Sequence, residues 1–500
     1  MKSMFSPAYS ALRRAVMVAV CAGLSACAVG PDYVPPVVDV GEGYKEAAVD
    51  TSAWTPAQPR DDHPRGEWWR IYGDSTLDGL MTQLNIANQN VAQAEANYRQ
   101  ALALVRNARS DLFPLITTGA SLSRAGSGNG TSGSGSTTSS GGGPSNQYTA
   151  SGTVSWEPDV WGRVRRNIES QQANVQASVS DLATARLSAQ SALAQNYFQL
   201  RILDEQARLL AQTVAAYERS LKLTSNRYDA GLSARADIAV ATTQLESTRA
   251  QAIDLEWQRA QFEHAIAVLI GVPPSRFTLV ATDFGQAVPQ IPTGLPSALL
   301  ERRPDVAAAE RRMAQANAQI GVAKAAWFPN LTLSADGGFR SGQFAEWLTA
   351  PARFWSLGPQ LAATIFDGGL RASQVEQAEA SYDGQVAAYR QAVLSALGEV
   401  EDYLGQMRVF EREQVVQNRA LASSRESLRL TRNQYESGLI DYLNVATIQA
   451  TALSNERTAL NLIGNRLTAS VQLIAALGGG WDGVEQAMRD AQPAVDAAKR

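Results

Sequence analysis

The chain contains two copies of one residue pattern. The segment 226–232, NRYDAGL, returns at 433–439 as NQYESGL, which is 207 positions later. A second match relates 100–114 to 315–329, and both of these segments end in Phe-Pro. Repetition at a nearly fixed spacing indicates that one structural unit is used twice. We therefore expect one elongated, duplicated architecture rather than several unrelated domains.

Each copy contains a long stretch that favours helix. No Gly or Pro occurs in 163–230, and the chain is again free of both over 232–270. At 1.5 Å per residue the first stretch would form a helix about 100 Å long. Gly231 predicts the turn between this helix and the returning one. The long helix of the second copy contains three glycines, each costing about 1 kcal/mol relative to Ala, and we expect it to bend or loosen there. They are Gly384, Gly398 and Gly405.

A shorter helix precedes the strands. Residues 80–113 lack Gly and Pro, and Pro114 predicts the end of that helix. Apolar and polar residues then alternate in four segments of about ten residues, which is the length of a tilted strand that crosses a bilayer. The expected strands are 115–125, 147–157, 330–340 and 354–366. The Gly/Ser/Thr-rich segment 126–146 is expected to be a mobile loop.

Four such strands cannot close a sheet in lipid. An open sheet would leave two rows of unpaired backbone groups, each costing several kcal/mol in hydrocarbon. Two copies of the chain would supply eight strands and three copies would supply twelve, with more room for a lumen. We expect a homo-oligomer and favour the homotrimer. The alternative is a periplasmic coiled-coil scaffold, for which the alternating strands would be coincidental.

The composition limits the remaining classes of function. A formal net charge of −4 gives no reason to expect a nucleic-acid partner. The two histidines, His63 and His264, lie far apart in sequence, and the two cysteines, Cys21 and Cys27, lie near the N-terminus. No nucleophile–base pairing, phosphate-binding loop or metal-ligand spacing is found. We therefore expect no enzyme, no cofactor and no metal.

The N-terminus is typical of an exported protein. Basic residues precede an apolar run over 15–24, which is too short to span a membrane and predicts a signal peptide over 1–26. The run ends in LSAC at 24–27, which resembles a bacterial lipobox. That resemblance implies cleavage before Cys27, acylation of this residue and anchoring in outer-membrane lipid. An ordinary signal peptide that happens to contain a cysteine is the alternative.

The expected organisation follows from these segments. A lipid anchor and extended tether covers 27–65, the first repeat 66–272, a linker 273–294, the second repeat 295–479 and a flexible tail 480–500. The turns that join the long and returning helices, which we call the tips, are expected at 229–236 and 436–443.

The chain resembles the outer membrane factor lipoproteins, the TolC-like (NodT-type) exit ducts of tripartite efflux systems. The resemblance implies a trimeric twelve-stranded β-barrel that continues into a periplasmic α-helical barrel, and thus a mainly α fold with a small transmembrane β part. It also implies a periplasmic adaptor protein and an inner-membrane pump of the RND type as partners. The resemblance depends on LPSALLERRPDV at 295–306, AQIGVAK at 318–324, GPDY at 30–33, Trp68-Trp69 and the two Tyr-x-x-Gly-Leu tips.

In this family the tips form the periplasmic entrance and meet the adaptor. The corresponding residues are Tyr228, Gly231, Leu232, Tyr435, Gly438 and Leu439. The alternative for the glycines is that they only permit a left-handed turn.

The gate of the chain departs from the family pattern. TolC-like relatives commonly carry carboxylates six and nine positions after the second tip glycine, where this chain has Asn444 and Thr447. Asp237 and Asp441 are the candidate substitutes, and the alternative is that both are solvated carboxylates at the tips. The sequence therefore does not predict an acidic, cation-selective gate at the usual level.

The resemblance and the long helices together predict an exit duct that passes small molecules, such as drugs and toxic compounds, from the periplasmic partners to the exterior. A passive outer-membrane porin is the alternative. A porin does not need a helical extension of about 100 Å.

Overall fold

A computed structural model of the protein describes residues 28–36, 38, 43–46, 67–126, 144–285, 288–289, 291 and 303–480. The expected signal peptide, Cys27, most of the Gly/Ser/Thr-rich loop and the tail beyond 480 lie outside these residues. The chain divides into a strand unit (1–36, 100–175 and 310–387) and a helical unit (37–99, 176–309 and 388–500). Among the described helices, none is both long and apolar enough to cross a bilayer.

The strand unit holds one antiparallel sheet with the strand order β1-β2-β3-β4. Its strands are β1 Leu115–Ala125, β2 Ser145–Trp156, β3 Asn330–Ser341 and β4 Arg353–Ala362. The pairing places side chains of one kind in one row across all four strands. Thr117, Thr153, Asp336 and Ser356 form a polar row, and Ile116, Val154, Ala335 and Leu357 form the next, apolar row. The sheet therefore has one polar face and one apolar face.

The fourth strand is shorter than the expected 354–366. Asn330 pairs with Ala362, and this is the last pair of the β3–β4 ladder. The residue before Asn330 is Pro329, which has no N–H to donate. The ladder therefore ends there, and Phe366 lies beyond the strand.

The first helical stretch is two helices rather than one. The helices α1 Ser75–Ala87 and α2 Gln89–Ser110 are separated by Asn88, whose ψ of 123° is extended. The Asn88 Oδ1 accepts hydrogen bonds from the backbone N–H groups of Asn90 and Val91 at 3.0 and 3.1 Å. The prediction of one helix over 80–113 was wrong because Asn88 caps a new helix in the middle of the stretch.

The long elements occur twice with identical lengths. The helices α3 Arg163–Asp229 and α6 Leu370–Glu436 each have 67 residues. Their returning partners, α4 Arg235–Leu269 and α7 Tyr442–Ala476, each have 35 residues. The helix α5 is Pro304–Ala325. Despite its three glycines, α6 remains one unbroken helix.

Buried charges fix the linker after α4 within the helical unit. The carboxylate of Asp204 accepts from Arg201 Nη1 at 3.2 Å and from Arg259 Nε at 2.7 Å. Arg201 also donates to the carbonyl of Val280 at 2.8 Å, and Arg259 donates to that of Leu279. Since Arg201 and Asp204 are buried, this network ties the chain after α4 to both helices of the first hairpin.

The segment just after Cys27 is held firmly in the strand unit. Arg166, near the start of α3, donates to the carbonyls of Val29 and Gly30 at 3.3 Å and to the carboxylate of Asp32 at 2.9 Å. Tyr33 donates to the carboxylate of Glu310 at 2.6 Å. These contacts fix the chain that leads to the expected anchor.

Candidate functional site

Both tips are built from the same left-handed turn. Gly231 has φ 75° and Gly438 has φ 78°, a conformation that strains residues with a Cβ. At the first tip the N–H of Gly231 donates to the Tyr228 carbonyl and that of Leu232 to the Arg227 carbonyl, both at 2.8 Å. The second tip repeats this pair of bonds at 2.9 Å. This is the Schellman arrangement, which satisfies the last carbonyls of a helix.

Each turn presents one exposed leucine. Leu232 and Leu439 directly follow the tip glycines, and both side chains are solvent-exposed. Apolar side chains at the end of a hairpin lose water-exposed surface when a partner covers them. The two leucines are therefore exposed apolar side chains that a partner could cover at the tips.

The two tip tyrosines have opposite environments. Tyr228 is 41% exposed, as expected for a contact residue, whereas Tyr435 is only 4% exposed. Tyr435 is therefore buried within the chain, and its contact with the adaptor stays a prediction. The burial arises because Tyr435 packs against the other hairpin of the same chain.

Arg227 and Thr224 hold Tyr435 in place, and we call these contacts the clamp. The Arg227 Nη1 donates to the Tyr435 carbonyl at 2.6 Å, and its guanidinium lies 4.7 Å from the centre of the Tyr435 ring. Thr224 lies within 2.9 Å of the Tyr435 hydroxyl, forming a hydrogen bond. The first hairpin thus holds the end of the second by one charged hydrogen bond, one cation–π contact and one hydroxyl pair.

A small apolar cluster packs around the Tyr435 ring. The rings of Tyr435 and Tyr442 meet edge to face with centroids 5.5 Å apart, and they pack with Ala241, Val445 and Ala446. Burial raises the pKa of Tyr442 to about 12, so this phenol is neutral at physiological pH.

Sequence reasoning missed Arg227, Thr224 and Tyr442. One pattern could have revealed the arginine, because the duplicated position 207 residues later is Gln434. Arg227 is thus the one position of the seven in 226–232 at which the two tips differ in charge.

The four candidate gate residues lie in two places. The Asp237 carboxylate accepts from the Ser233 hydroxyl at 2.7 Å and from the Ala234 N–H at 3.2 Å, so it is used in capping α4. Asp441 is exposed, makes no side-chain capping bond and precedes the first turn of α7. Asn444 and Thr447 are also exposed near that end of α7. Of the two aspartates, Asp441 is therefore the one whose carboxylate is not used in capping its helix.

Comparison with known proteins gives one consistent result. A family model described as outer membrane efflux protein matches residues 80–272 and 295–479. The pyoverdine export outer membrane protein OpmQ of Pseudomonas aeruginosa is 31% identical over 459 residues, which is 89% of this chain and 95% of that protein. The probable efflux pump outer membrane protein TtgC of Pseudomonas putida is 28% identical over 466 residues, 92% of this chain and 93% of its own.

A solved structure agrees with the fold. The outer-membrane channel OprN matches with a TM-score of 0.80 at 30% identity, covering 91% of this chain and all of that one (100%). The predicted TolC-like class, mainly α with four strands and long helical hairpins in each chain, is thereby confirmed. Since the family model covers both repeats, the chain belongs to the outer membrane efflux protein family.

Proposed function

We propose that this protein is the outer-membrane exit duct of a tripartite efflux pump and passes small molecules to the exterior. The observation that carries this proposal is the pairing of a two-faced sheet with hairpins of 67 and 35 residues in both repeats. The chain is a member of a family of efflux ducts, not of enzymes. The proposed repeats are 66–272 and 295–479, joined by the linker 273–294.

The working form is a homotrimer. Within the described chain, β1 and β4 each pair on one side only, so each has an open edge. The exposed apolar side chains Ile116, Leu357 and Leu361 suit a lipid-facing surface. Twelve strands from three copies would pair every edge and enclose the polar row as the wall of a water-filled lumen.

Lipid on Cys27 anchors the mature chain. The contacts of Arg166 with Val29, Gly30 and Asp32 support this proposal because they hold the residues that follow the acylated one. Substitution Cys27→Ser should abolish labelling with a radioactive fatty acid. Unchanged labelling would refute the anchor.

The tips are where the periplasmic adaptor engages the duct, and an inner-membrane RND-type pump is the further partner of the system. Tyr228, Leu232 and Leu439 offer an exposed apolar and aromatic surface, and Gly231 and Gly438 give it its shape. Tyr435, which is buried, also takes part in closing the entrance. Asp441, beside Asn444 and Thr447, is the proposed charged group of the gate, while Asp237 caps its own helix.

The test is complementation of efflux. A strain that lacks its own duct but retains adaptor and pump should regain drug tolerance with this protein. It should lose that tolerance again with Gly231→Val or Gly438→Val, since both force a branched side chain into the left-handed region. Trimer content is measured in parallel, so that loss of assembly is recognised.

The porin alternative predicts a different result. A passive porin would conduct steadily in planar bilayers without any partner and would not restore tolerance. The exit duct should conduct poorly alone.

A further inference from the structure

Two arginines lie on the apolar face of the sheet. Arg124 is the last residue but one of β1, and Arg353 is the first residue of β4. Residues two positions apart in a strand share a face, so Arg124 lies on the face of Ile116. By the same count Arg353 lies on the face of Leu357, which belongs to the same apolar row. Both arginines are exposed and lie where their strands meet the connecting loops, which we call the loop end of the sheet.

Aromatic side chains mark the level of the loop end. Phe339 pairs directly with Arg353, whose guanidinium lies 6.0 Å from the centre of the Phe339 ring. On the same face the ring of Tyr148 meets those of Phe344 and Trp347, with centroids 5.5 and 6.0 Å apart. Aromatic residues collect where the acyl chains of a membrane meet its headgroups. The arginines therefore lie at headgroup level and not in the middle of the hydrocarbon.

The described residues supply no counter-charge on this face. Asp336 is the one acidic residue of the four strands, and it lies in the polar row, where it accepts a hydrogen bond from Thr153 at 2.8 Å. The connecting segments 126–144 and 342–352 contain a single acidic residue, Glu346. Within the described part of the chain, no carboxylate pairs with either arginine. Their counter-charge therefore comes from outside the chain.

The two arginines stand on the two edge strands. β1 and β4 each pair on one side only, and in the proposed homotrimer β4 of one subunit pairs with β1 of the next. All strands cross the same bilayer, so their loop ends lie at one level. Arg353 then lies within about two residues, or roughly 7 Å along the strand, of Arg124 of the partner subunit. This placement rests on the proposed exit duct and its three copies.

We infer that Arg353 and Arg124 of the partner subunit together bind the phosphate of a glycolipid in the outer leaflet. The family to which the chain belongs resides in the outer membrane, whose outer leaflet consists of a phosphorylated glycolipid, lipopolysaccharide. A guanidinium binds phosphate through two parallel charged hydrogen bonds. Trp355, two residues from Arg353 on the same face, is 82% exposed and offers its ring to the acyl chains. One such site lies at each contact between subunits.

Lipid binding by the purified trimer tests the site. The full-length protein in mild detergent is titrated with diphosphorylated lipid A, and native mass spectrometry counts the bound molecules and the subunits together. Arg124→Gln and Arg353→Gln should each weaken binding by at least about tenfold, since each removes a charged hydrogen-bond donor. Arg340→Gln is the matched control, because Arg340 lies on the polar face, 4.5 Å from the ring centre of Phe354. It should leave binding unchanged.

Mixed trimers test whether two subunits share the site. Chains with Arg124→Gln and chains with Arg353→Gln are coexpressed under different affinity tags, and trimers that carry both tags are isolated. Each mixed trimer contains one subunit contact at which both arginines are intact. It should therefore regain one tightly bound lipid A, which trimers of either variant alone lack. Mixed trimers that bind no better than the single variants would overturn the shared site.

Other lipids test the chemistry of the ligand. Lipid A without phosphate should bind equally weakly to the unchanged protein and to both variants. Inorganic phosphate at the same concentration should not displace diphosphorylated lipid A, because it lacks acyl chains. Phosphatidylglycerol bound as tightly as lipid A, with the same loss in the variants, would overturn the assignment to a glycolipid.

Failure of the site can be distinguished from failure of the proposed duct. If the native mass is that of three subunits and efflux is restored, but both variants bind diphosphorylated lipid A as tightly as Arg340→Gln, only the glycolipid site is wrong. A native mass of one subunit would refute the proposed trimer, and the shared site with it.

Discussion

At the scale of single residues, the carboxylate of Asp204 joins two arginines that lie on different helices. It is buried, and it pairs with both Arg201 and Arg259. Removing one partner from a buried ionic network is costly because the charges that remain have no compensation. Losing this one carboxylate would therefore disturb α3, α4 and the linker together.

Substitution Asp204→Ala should destabilise the helical unit by about 3–5 kcal/mol. The measurement is the thermal unfolding midpoint by circular dichroism at 222 nm, which we expect to fall substantially. Asp383→Ala is the control, since Asp383 is exposed on α6 and surface substitutions usually change stability by less than about 0.5 kcal/mol. Equal midpoints for the two variants would contradict the role of the network.

The two tip tyrosines show how far residue-level prediction reaches. The repeated Tyr-x-x-Gly-Leu pattern correctly predicted both turns, because a left-handed glycine after a helix is a local property. It could not distinguish Tyr228 from Tyr435, because Tyr435 is buried by contacts with Arg227 and Thr224 of the other hairpin. That difference comes from the neighbouring hairpin and not from the motif itself.

The clamp gives a second residue-scale prediction. Arg227→Gln, which copies the second-repeat residue Gln434, removes the cation–π contact and the charged hydrogen bond to Tyr435. We expect a greater single-channel conductance in planar bilayers with an unchanged content of trimers. Arg219→Gln, a change at an exposed arginine two turns earlier, should leave the conductance unchanged. Identical conductance for both variants would exclude the clamp from closing the entrance.

At the scale of elements, glycines in the long helices were harder to interpret than those at the turns. α6 is one continuous helix through its three glycines, and the expected bending or loosening at them stays a prediction. The expected penalty of about 1 kcal/mol per glycine is a local term. Tyr389, Val393 and Val400 are buried on the same helix, and packing of this kind supplies most of the stability of a helix in a protein.

Two glycines should therefore respond oppositely to alanine. At Gly398 an added Cβ meets nothing within 4 Å, whereas at Gly464 it meets Ile202 at 2.9 Å. Gly398→Ala should stabilise the protein by up to about 1 kcal/mol, and Gly464→Ala should destabilise it by about 1–3 kcal/mol through overpacking. Denaturation midpoints of the two variants, measured side by side, decide this. A gain at Gly464 would show that α3 and α7 pack loosely at this point.

At the scale of the whole molecule, the sequence predicted the architecture because its repeats and alternating strands are regular over hundreds of residues. The break at Asn88 and the end of β4 at Ala362 were missed, since each depends on one side chain or one missing N–H. The homotrimer was predicted from the strand edges that one copy leaves unpaired, and the number of copies stays a prediction.

If α6 of one subunit lies against α4 of the next in the proposed homotrimer, as α3 lies against α7 within the chain, one pair in that subunit seam is unfavourable. Gln206 and Asn461 form a hydrogen bond inside the chain, but their counterparts are Glu413 and, across the seam, Asp254 of the partner subunit. Like charges at such positions repel, by up to about 0.5 kcal/mol for exposed groups. Glu413→Gln should therefore raise the temperature at which the trimer dissociates in detergent, and high salt should shrink the gain because it screens the repulsion. Glu411→Gln removes the same charge from another exposed position on α6 and should have no such effect. If both variants shifted the transition equally, the gain would reflect net charge, and the seam would have to place Glu413 away from the partner.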